Sequence, residues 1–575
     1  MSEPAANPVP PAEPAVDAGA GEDAASTSKK AAKKAEAKAK KEAEKARRAA
    51  ERAAAQAASS SAANTEDNAK DNYGKETHET QYSEDAIDVH LKNLTDEHLG
   101  KKVYVRAWLQ NSRAQGAKMV FVELREEGNW AIQGVAAASP EGTPVSRQMV
   151  KWIGSVNLES FVVVEATVEK PYEPVKSCRV SDYELHITKF FVHATAPAVL
   201  GMTLAAANRP ITNFSDQEAP VEQAVEKLSI SGEAAGIPAA TMMTHLDNIV
   251  MHKRAPVQQA IADIRMEVKD LFRSYLKNLG FREFEPPCLI GAASEGGADV
   301  FDLKYFDRKA YLAQSPQLYK QTEIAGGRKR VFSVSPVFRA EKSNTPRHMT
   351  EFTGLDLEME IRKDYREVLH VLEGVLLHIF RGIQKNCATE IEIIRQVYPS
   401  EDLLLPEPGK EVRLTFAEGQ KLLREEGPEE YRNVSDDEDM STPQEKALGA
   451  LIKAKYNTDF YVLDKFPDSA RPFYAKEDPK NPKVTNAFDF FLRGQEILSG
   501  GQRINDPEEL IARLKKKGVD PEGPGIKDYV DVFRTGVPAH GGGGIGLDRV
   551  VAWFLNLPSV HLAAYYPRTP KRLTP

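Results

Sequence analysis

Charged side chains alternate with apolar ones along one stretch of the sequence, residues 330–361. The alternation predicts two β-strands joined by the polar, proline-containing segment 342–348. Because successive side chains of a strand point to opposite faces, one face of this hairpin collects charge and the other is apolar. The polar face carries Arg339, Glu341, Phe352, Gly354, Asp356, Glu358 and Glu360. Such a face fits the floor of a site for a charged, planar ligand; the alternative is a solvated sheet face crossed by ion pairs.

A second hairpin is predicted over residues 488–503, where two short strand-like runs flank Gly494. In that arrangement Asp489 and Glu496 face each other across the hairpin. A pair of carboxylates can share a Mg²⁺ ion that phosphates also bind. Single acidic pairs at this spacing are usually solvated, so the metal site depends on what surrounds it.

Four consecutive glycines, Gly541 to Gly544, precede the segment IGLDRVVAWF. A Walker-type phosphate loop is excluded, because such a loop ends in a Lys-Ser/Thr pair that this segment lacks. The glycines are interpreted instead as positions where the backbone comes close to a bound nucleotide.

The helices and strands that must position these residues are grouped separately along the chain. An apolar stripe with Pro256 near its start and Gly280 after its end predicts a helix over residues 256–279. A second helix is predicted from about residue 365 to residue 385. Strands and helices do not alternate regularly, which predicts an α+β catalytic domain built on an antiparallel sheet for residues 253–575.

Three regions precede that domain, so the chain is predicted to be multidomain. Residues 1–85 are predicted to be a disordered and basic helical extension. Within it, residues 29–52 hold eleven Lys or Arg and four Glu, a local charge of +7 in a chain of net charge −8. This segment is either a solvated helix or an arm that contacts RNA phosphates. Residues 86–205 contain short strand-like runs that predict a small β-barrel, and residues 206–252 form a predicted hinge.

Composition limits the compartment and the class of protein. The three cysteines, Cys178, Cys288 and Cys387, show no metal-ligand spacing and are expected to be free thiols in a reducing compartment. No apolar run is long enough to span a bilayer, and the amino terminus has no signal core, so no membrane association and a cytoplasmic location are expected. Residues 401–446 are polar and are predicted to be a surface insertion.

Three long motifs resemble those of one enzyme family. FRAEKSNTPRHMTEFTGLDLEM resembles the second signature motif of class II aminoacyl-tRNA synthetases, in the form carried by the aspartyl enzymes. GGGGIGLDRVVAWFLNL resembles the third motif, and LGFREFEPPCLI the first, with Pro287 at its marker proline. The motifs occur in the class order, and the resemblance to the cytosolic eukaryotic aspartyl type extends over about residues 88–575. It implies ATP-dependent activation of L-aspartate, followed by its transfer to the 3′ end of tRNA(Asp), by a homodimer whose interface includes Pro287.

The resemblance implies how the nucleotide is held. Arg339 would clamp the α-phosphate and the amino acid carboxylate, a bidentate task that suits a guanidinium fork. Adenine would lie between Phe352 and Arg549, with Glu341 receiving its amino group. Arg347 and His348 would reach the terminal phosphates or the acceptor end of tRNA, and Asp489 and Glu496 would bind Mg²⁺. The implied ATP-binding set is Arg339, Glu341, Arg347, His348, Met349, Phe352, Glu496, Gly546, Leu547, Asp548 and Arg549, with Arg339 and Arg549 as catalytic residues.

The resemblance also implies how the amino acid is chosen. Lys320 and Arg503 would hold the β-carboxylate of aspartate, and Asp356 would orient Lys320. The α-ammonium group would be received by Ser294 and Glu295, in a loop expected to close over the substrate, and by Gln317. Ser499 would lie between the metal and the substrate. The implied aspartate-binding set is Ser294, Glu295, Gln317, Lys320, Arg339, Asp356, Ser499 and Arg503.

The predicted barrel takes a role from the same resemblance, as an oligonucleotide-binding (OB) fold that reads the anticodon. Such barrels combine an aromatic platform for base stacking with polar groups that reach base edges. The matching positions are Arg113, Gln115, Phe121 and Gln133. Strand alternation alone leaves open that Phe121 is an ordinary core residue.

Rival functions remain within and outside the family. An asparaginyl-tRNA synthetase usually carries a different residue at the position of Asp356. A lysyl-tRNA synthetase needs acidic residues around its substrate side chain, which conflicts with Lys320 and Arg503. A synthetase-like paralogue that does not charge tRNA, either an amide-forming ligase or an RNA-binding regulator, is the rival from another class.

Overall fold

The computed structural model describes residues 67–140, 144–211, 240–291, 300–342 and 345–574. The predicted basic arm, the loop with Ser294 and Glu295, and most of the predicted hinge lie outside these ranges. The chain divides into two compact units. The first comprises residues up to 124, 132–176 and 181–195; the second comprises 125–131, 177–180 and 196–575.

The first unit is a closed five-stranded barrel, as predicted. Strand β3 (Lys102–Gln115) pairs with β4 (Met119–Arg125) and β6 (Phe161–Glu169), β4 pairs with β5 (Ala131–Ala137), and β7 (Val180–Ala194) pairs with β5 and β6, which closes the ring. Two short strands, β1 (Tyr73–Lys75) and β2 (Ile87–Asp88), add in parallel to β7 and β3. One helix, α1, covers Arg147–Ile153.

The second unit is built on an eight-stranded sheet of order β14-β15-β18-β19-β20-β13-β12-β8. The predicted antiparallel pairing is confirmed for the six inner strands, whereas β14 and β8 pair in parallel at the two edges. The strands of this sheet are β8 Arg282–Glu283, β12 Arg330–Phe338, β13 Glu351–Glu360, β14 Val412–Thr415, β15 Phe460–Asp464, β18 Ala487–Leu492, β19 Gln495–Gln502 and β20 His540–Gly546. Smaller sheets are formed by β9 Leu289–Ile290, β10 Asp302–Tyr305 and β11 Arg308–Leu312, and by β16 Glu477–Asp478 and β17 Asn481–Thr485.

Both predicted long helices are present. Helix α5 starts with Pro256 as its first residue and ends at Asn278, before Gly280, whose φ of +80° suits glycine. Helix α7 begins at Arg366, where the Glu367 carboxylate accepts a hydrogen bond from the backbone N–H of Lys363. The helices of the second unit are α2 Leu204–Ala207, α3 Met242–Asp247, α4 Ile249–Arg254, α5 Pro256–Asn278, α6 Gln317–Ala325, α7 Arg366–Asn386, α8 Ala388–Val397, α9 Phe416–Glu426, α10 Thr442–Tyr456, α11 Pro507–Lys516, α12 Ile526–Phe533 and α13 Leu547–Phe554.

The main apolar core lies on one side of the large sheet. Leu355 and Leu357 of β13 are buried in the same cluster as Phe272 of α5 and Leu372 of α7. The alternation of β13 therefore puts its apolar face against the helices and turns the face with Asp356 away from them, as predicted. Among the described residues, no helix has the length and hydropathy that a bilayer span requires.

The prediction of a surface insertion over residues 401–446 is wrong for much of the segment. It contributes the edge strand β14, helix α9 and the start of α10, and it has a core of its own. Phe416 and Leu423 are fully buried there, against Tyr461 and Phe491 of the sheet. The high density of charge between residues 424 and 439 hides this apolar stripe in the sequence.

Candidate active site

The polar face of the large sheet borders a cavity of about 430 Å³, a size typical of small-molecule sites. Strands β12, β13, β19 and β20 form its floor, and α6 and the start of α13 contribute to its walls. Most of the predicted site residues line it. These are Gln317, Lys320, Arg339, Glu341, Arg347, His348, Met349, Phe352, Asp356, Glu496, Ser499, Arg503, Gly546, Asp548 and Arg549.

The two cations predicted to hold the β-carboxylate meet at the floor through a shared partner. The Lys320 ammonium lies 2.9 Å from Oδ1 of Asp356, as expected, and 3.4 Å from Oε2 of Glu358. The Arg503 Nε donates to Oε1 of the same Glu358 at 3.1 Å. The sequence patterns assign no role to Glu358, although it lies two residues beyond Asp356 on the polar face of β13. Its place on the same polar face as Asp356 was the sequence feature that could have identified Glu358 as a site residue.

Burial makes this group of charges interdependent. Lys320 is 1% exposed and Glu358 0%, so neither charge has water to stabilise it. Burial acts to raise the pKa of Glu358, but the Arg503 guanidinium and the Lys320 ammonium more than offset it and hold that pKa below its ordinary value. Glu358 therefore remains a carboxylate and fixes both cations beside the cavity.

The glycine run forms strand β20, between β13 and β19, and two of its members lie beside the floor carboxylates. A Cβ atom on Gly542 would come within 2.1 Å of Oε2 of Glu358 and of the Leu357 carbonyl oxygen. A Cβ atom on Gly544 would lie 3.1 Å from Oδ1 of Asp356. Glycine at Gly542 is thus required by the protein's own carboxylate, which replaces the interpretation that a bound nucleotide requires it.

Only some of the residues predicted to bind the α-ammonium group of aspartate lie within the described ranges. Gln317 lines the cavity, and its Nε2 donates to Oε1 of Gln321 at 2.8 Å, an oxygen that also accepts from the Tyr529 hydroxyl at 2.8 Å. Gln321 in turn contacts Nε2 of His540 at 2.8 Å, so this wall is a connected polar network. Ser294 and Glu295 lie outside the described residues.

The predicted nucleotide-binding residues lie at the other end of the cavity. The guanidinium carbon of Arg339 is 5.5 Å from the Phe352 ring centroid, and its Nη1 is 3.8 Å from Glu341. Arg549 lies 3.5 Å from the Glu496 carboxylate. Phe352, Arg339 and Arg549 line the same cavity, and an aromatic ring with two guanidinium groups can accept a planar, anionic ligand.

Two residues of the predicted ATP-binding set have side chains engaged elsewhere. Leu547 is fully buried in the main core and does not line the cavity. Asp548 accepts from Nη1 of Arg265 at 2.5 Å and from the Thr353 backbone N–H at 3.2 Å, and both charged groups are buried. The motif implied a nucleotide contact for both residues because they are consecutive within it. In a helix, successive side chains point about 100° apart, so consecutive residues do not all face the cavity.

The predicted metal-binding residues, Asp489 and Glu496, lie on the β18–β19 hairpin, but its strands pair in a different register from the one expected. Asp489 is paired with Ser499, not with Glu496, and a β-bulge between Phe490 and Phe491 shifts the pairing so that Glu496 lies opposite Phe491. The bulge returns Glu496 to the face that carries Asp489 and Ser499. The carboxylates are thus neighbours along one face and do not oppose each other directly.

Arg471, which sequence patterns do not single out, neutralises part of this cluster. Its Nη2 donates to Oδ2 of Asp489 at 2.6 Å and its Nη1 to the Ser499 hydroxyl at 2.8 Å. Burial, opposed by Arg471 and reinforced by the Glu496 carboxylate, raises the pKa of Asp489 to about 7. Burial also acts on Glu496, but Arg549 and Arg471 hold its pKa below the ordinary value.

One atom of the cluster fits a cation. Oδ1 of Asp489 is buried and has no hydrogen-bond partner. Carboxylate oxygens are the ligands that Mg²⁺ prefers. Within the described ranges, no group of three or more His, Cys, Asp or Glu side chains is arranged to hold a metal. Asp489 and Glu496 are therefore the residues of this cluster that would hold a Mg²⁺ ion.

The predicted anticodon-binding residues lie on strands β3, β4 and β5 of the barrel. Phe121 is half-buried between the buried Val120 and Val122 of β4, which excludes the alternative that it belongs to the core. The Arg113 guanidinium carbon lies 5.7 Å from the Phe121 ring centroid, and Arg113 and Gln115 are exposed at the end of β3. Gln133 of β5 donates to Glu184 at 3.1 Å. In the second unit, Pro287 is exposed at the surface just before β9.

Comparisons with known proteins show the family to which the chain belongs. A family model described as "tRNA synthetases class II (D, K and N)" matches residues 241–570. The chain is similar to the cytoplasmic aspartate–tRNA ligase of Bos taurus, 44% identical over 86% of this chain and 93% of the relative. Its structure is similar to that of the aspartyl-tRNA synthetase from Entamoeba histolytica, with a TM-score of 0.75 and 37% identity over 88% of this chain and 96% of that one.

A second solved structure gives the contrast within the family. The asparaginyl-tRNA synthetase from Pyrococcus horikoshii, complexed with asparaginyl-adenylate, has a TM-score of 0.68 and 29% identity over 85% of this chain and 99% of that one. Identity is thus higher to the aspartyl enzymes than to this asparaginyl enzyme. The chain belongs to the class II tRNA synthetases of the D, K and N group and, within that group, to the aspartate–tRNA ligases.

Proposed function

We propose that this protein is a cytoplasmic aspartate–tRNA ligase, which activates L-aspartate with ATP and transfers it to the 3′ end of tRNA(Asp). The observation that carries the proposal is the convergence of Lys320 and Arg503 on the buried Glu358 at the cavity floor. Two fixed cations beside a cavity of this size suit a small ligand with a side-chain carboxylate.

Activation requires one anion to attack another, because the aspartate carboxylate must approach the α-phosphate of ATP. Fixed cations beside the phosphate lower that barrier. We assign this task to Arg339, which lines the cavity and lies beside Phe352. We assign Phe352 and Arg549 to the two sides of the adenine and Glu341 to its amino group. The products are aspartyl-adenylate and pyrophosphate.

Mg²⁺ is proposed to be held by Asp489 and Glu496, because Asp489 presents an unpaired buried oxygen. When bound, the ion would neutralise charge on the phosphates that leave as pyrophosphate. Arg471 keeps the Asp489 side chain oriented and also donates to the Ser499 hydroxyl, and Ser499 is proposed to lie between the metal and the aspartate.

The second step needs little further apparatus. The 3′-hydroxyl of the terminal adenosine of tRNA attacks the carbonyl of the mixed anhydride, and AMP leaves. Positioning of the two reactants by the site supplies much of the rate. The barrel residues Arg113, Gln115, Phe121 and Gln133 are proposed to bind the anticodon, and the exposed Pro287 is proposed to lie in a homodimer interface.

ATP–pyrophosphate exchange with aspartate, asparagine and lysine tests the proposal. We expect exchange that depends on aspartate, since Lys320 and Arg503 both line the cavity, where they can bind its side-chain carboxylate and would repel the ammonium group of lysine. Exchange with asparagine alone would make the chain an asparaginyl enzyme. Absence of exchange with all three amino acids would favour a paralogue that does not charge tRNA.

A further inference from the structure

Arg347 is held by two residues of helix α10 that no sequence motif connects with it. Its Nη1 donates to Oγ1 of Thr442 at 2.5 Å, and its Nη2 to Oε2 of Glu445 at 3.0 Å. The side chains of Arg347 and Glu445 are only 14% and 12% exposed. Thr442 and Glu445 are three residues apart in the first turn of α10, so both project from one face of the helix.

The geometry places these two residues behind the arginine. Arg347 lines the cavity, whereas Thr442 and Glu445 are not among the described residues that line it. Glu445 also interacts electrostatically with Glu496 and Arg549, which lie at the nucleotide end. The contact therefore holds the Arg347 guanidinium through two residues that do not line the cavity, near the cluster assigned to Mg²⁺.

The helix that provides the contact is firmly seated. Leu448 and Ile452 of α10 are fully buried in the core shared with α9 and β15. Gly449 lies against the turn of the β18–β19 hairpin, so closely that a Cβ atom there would be 2.3 Å from Cα of Gly494. Ser441 and Gln444 complete a capping box at the start of the helix. Thr442 and Glu445 thus have fixed positions.

The loop that carries Arg347 is held in place without this contact. The Pro346 carbonyl accepts from the Val560 backbone N–H at 2.9 Å and from the Ser559 hydroxyl at 3.2 Å. The His348 carbonyl lies 3.0 Å from Nε2 of His561. Because the backbone on both sides of Arg347 is already anchored, the bonds to α10 act on the arginine side chain.

We propose that Thr442 and Glu445 are positioning residues that hold the Arg347 guanidinium in place to receive the phosphates of ATP. This inference rests on the proposed function, which takes ATP as a ligand of the cavity. A flexible arginine would have to lose side-chain entropy when the triphosphate binds, and fixing it beforehand removes that cost. Loss of the contact is therefore expected to weaken ATP binding more than it slows the chemical step.

Kinetics of ATP–pyrophosphate exchange and calorimetric titration of the full chain with ATP and Mg²⁺ test this inference. We expect Glu445→Ala to raise KM for ATP and Kd for ATP by about tenfold with a smaller change in kcat, as for loss of one charge-assisted contact. Thr442→Val, which keeps the shape of the side chain, is expected to act in the same direction and more weakly. Glu445→Gln, which can still accept a hydrogen bond, is expected to fall between the wild type and Glu445→Ala.

Two controls separate positioning from folding. Glu429→Gln removes a charge from an exposed position within residues 401–446, the segment that includes Thr442 and Glu445, and is expected to change neither constant. In an Arg347→Ala background, Glu445→Ala is expected to have no further effect on KM for ATP, because the positioned group is already gone. Unchanged or tighter ATP binding by Glu445→Ala, or additive effects in the double variant, would overturn the inference. A wild-type protein without exchange would instead overturn the proposed function, and this inference with it.

Discussion

The Glu358 carboxylate accepts a hydrogen bond from Nε of Arg503 at 3.1 Å, although 145 residues separate them in the sequence. Both side chains are buried, and Glu358 has no exposed surface. A buried carboxylate that keeps two cations in place is a requirement for the proposed recognition of aspartate, because each partner depends on the other for its charge.

Glu358→Gln is expected to destabilise the catalytic unit by about 3 kcal/mol, since it leaves two buried cations with one fewer anion. It is also expected to raise KM for aspartate, because Lys320 and Arg503 then repel each other and lose their positions. Urea titration and exchange kinetics measure the two effects. An unchanged KM would show that Glu358 has only a structural role.

Gly542→Ala tests the same contact from the neighbouring strand. The added methyl group would lie 2.1 Å from both Oε2 of Glu358 and the Leu357 carbonyl oxygen, so it must displace that carboxylate and also shift the backbones of β13 and β20 apart. We expect an effect on KM for aspartate in the same direction as that of Glu358→Gln. Gly291→Ala is the matched control, because nothing lies within 4 Å of a Cβ atom there. Equal kinetics for the two alanine variants would contradict the prediction.

Asp489→Asn and Glu496→Gln are each expected to raise the Mg²⁺ concentration needed for half-maximal exchange by about tenfold. The physical reason is the loss of an anionic ligand from a pair that has no further acidic neighbour arranged for a metal among the described residues. Glu508→Gln, at an exposed position on α11, controls for overall charge. If both site variants show the same Mg²⁺ dependence as the wild type, the hairpin does not bind the metal.

Phe121→Ala is expected to lower kcat/KM for tRNA(Asp) by about tenfold, because an aromatic platform loses a stacked base. The exchange reaction, which needs no tRNA, is expected to be unchanged. Tyr172→Ala is the matched control, since Tyr172 is a fully exposed aromatic residue of the same unit. A loss of exchange activity in Phe121→Ala would indicate misfolding, and an unchanged kcat/KM for tRNA would contradict the assigned role.

A buried histidine pair predicts how stability changes with pH. Nδ1 of His245 lies 3.1 Å from Nδ1 of His252, and burial lowers their pKa values to about 4 and about 3. The unfolded chain binds protons at these groups below about pH 6.5, whereas the folded protein does not. Their contribution to stability is therefore complete above pH 6.5 and is lost progressively as the pH falls from there through about 4 and about 3.

Thermal unfolding of the wild type and of His252→Gln at pH 8, 7, 6 and 5 measures this contribution. We expect the melting temperature of the variant to decline less steeply between pH 7 and pH 5 than that of the wild type. Parallel declines would show that other groups control the acid sensitivity of the protein.

Local patterns in the sequence predicted the helices and hairpins whose formation depends on residues close to one another in the chain. Helix α5 begins at Pro256 and ends before Gly280 because its apolar stripe, its start signal and its stop signal all lie within the helix. The β12–β13 hairpin was likewise predictable, since alternation fixes which residues share a face.

Relations between distant segments were not available from these patterns. Alternation placed Glu358 on the polar face but could not show that Arg503 and Lys320 both reach it. The bulge at Phe490 changed which residues of the β18–β19 hairpin are paired, and a period of two cannot locate such an insertion. Arg471 and Glu445 lie in segments without a motif, so only the folded chain connects them with Asp489 and Arg347.

The most direct test of the account is a structure of the protein with a non-hydrolysable aspartyl-adenylate analogue. We predict that the β-carboxylate of the analogue lies about 3 Å from both the Lys320 ammonium and the Arg503 guanidinium. We also predict that the Glu358 contacts to both residues are retained. A β-carboxylate that points to solvent, or that is bound by other residues, would contradict the proposed basis of aspartate selection.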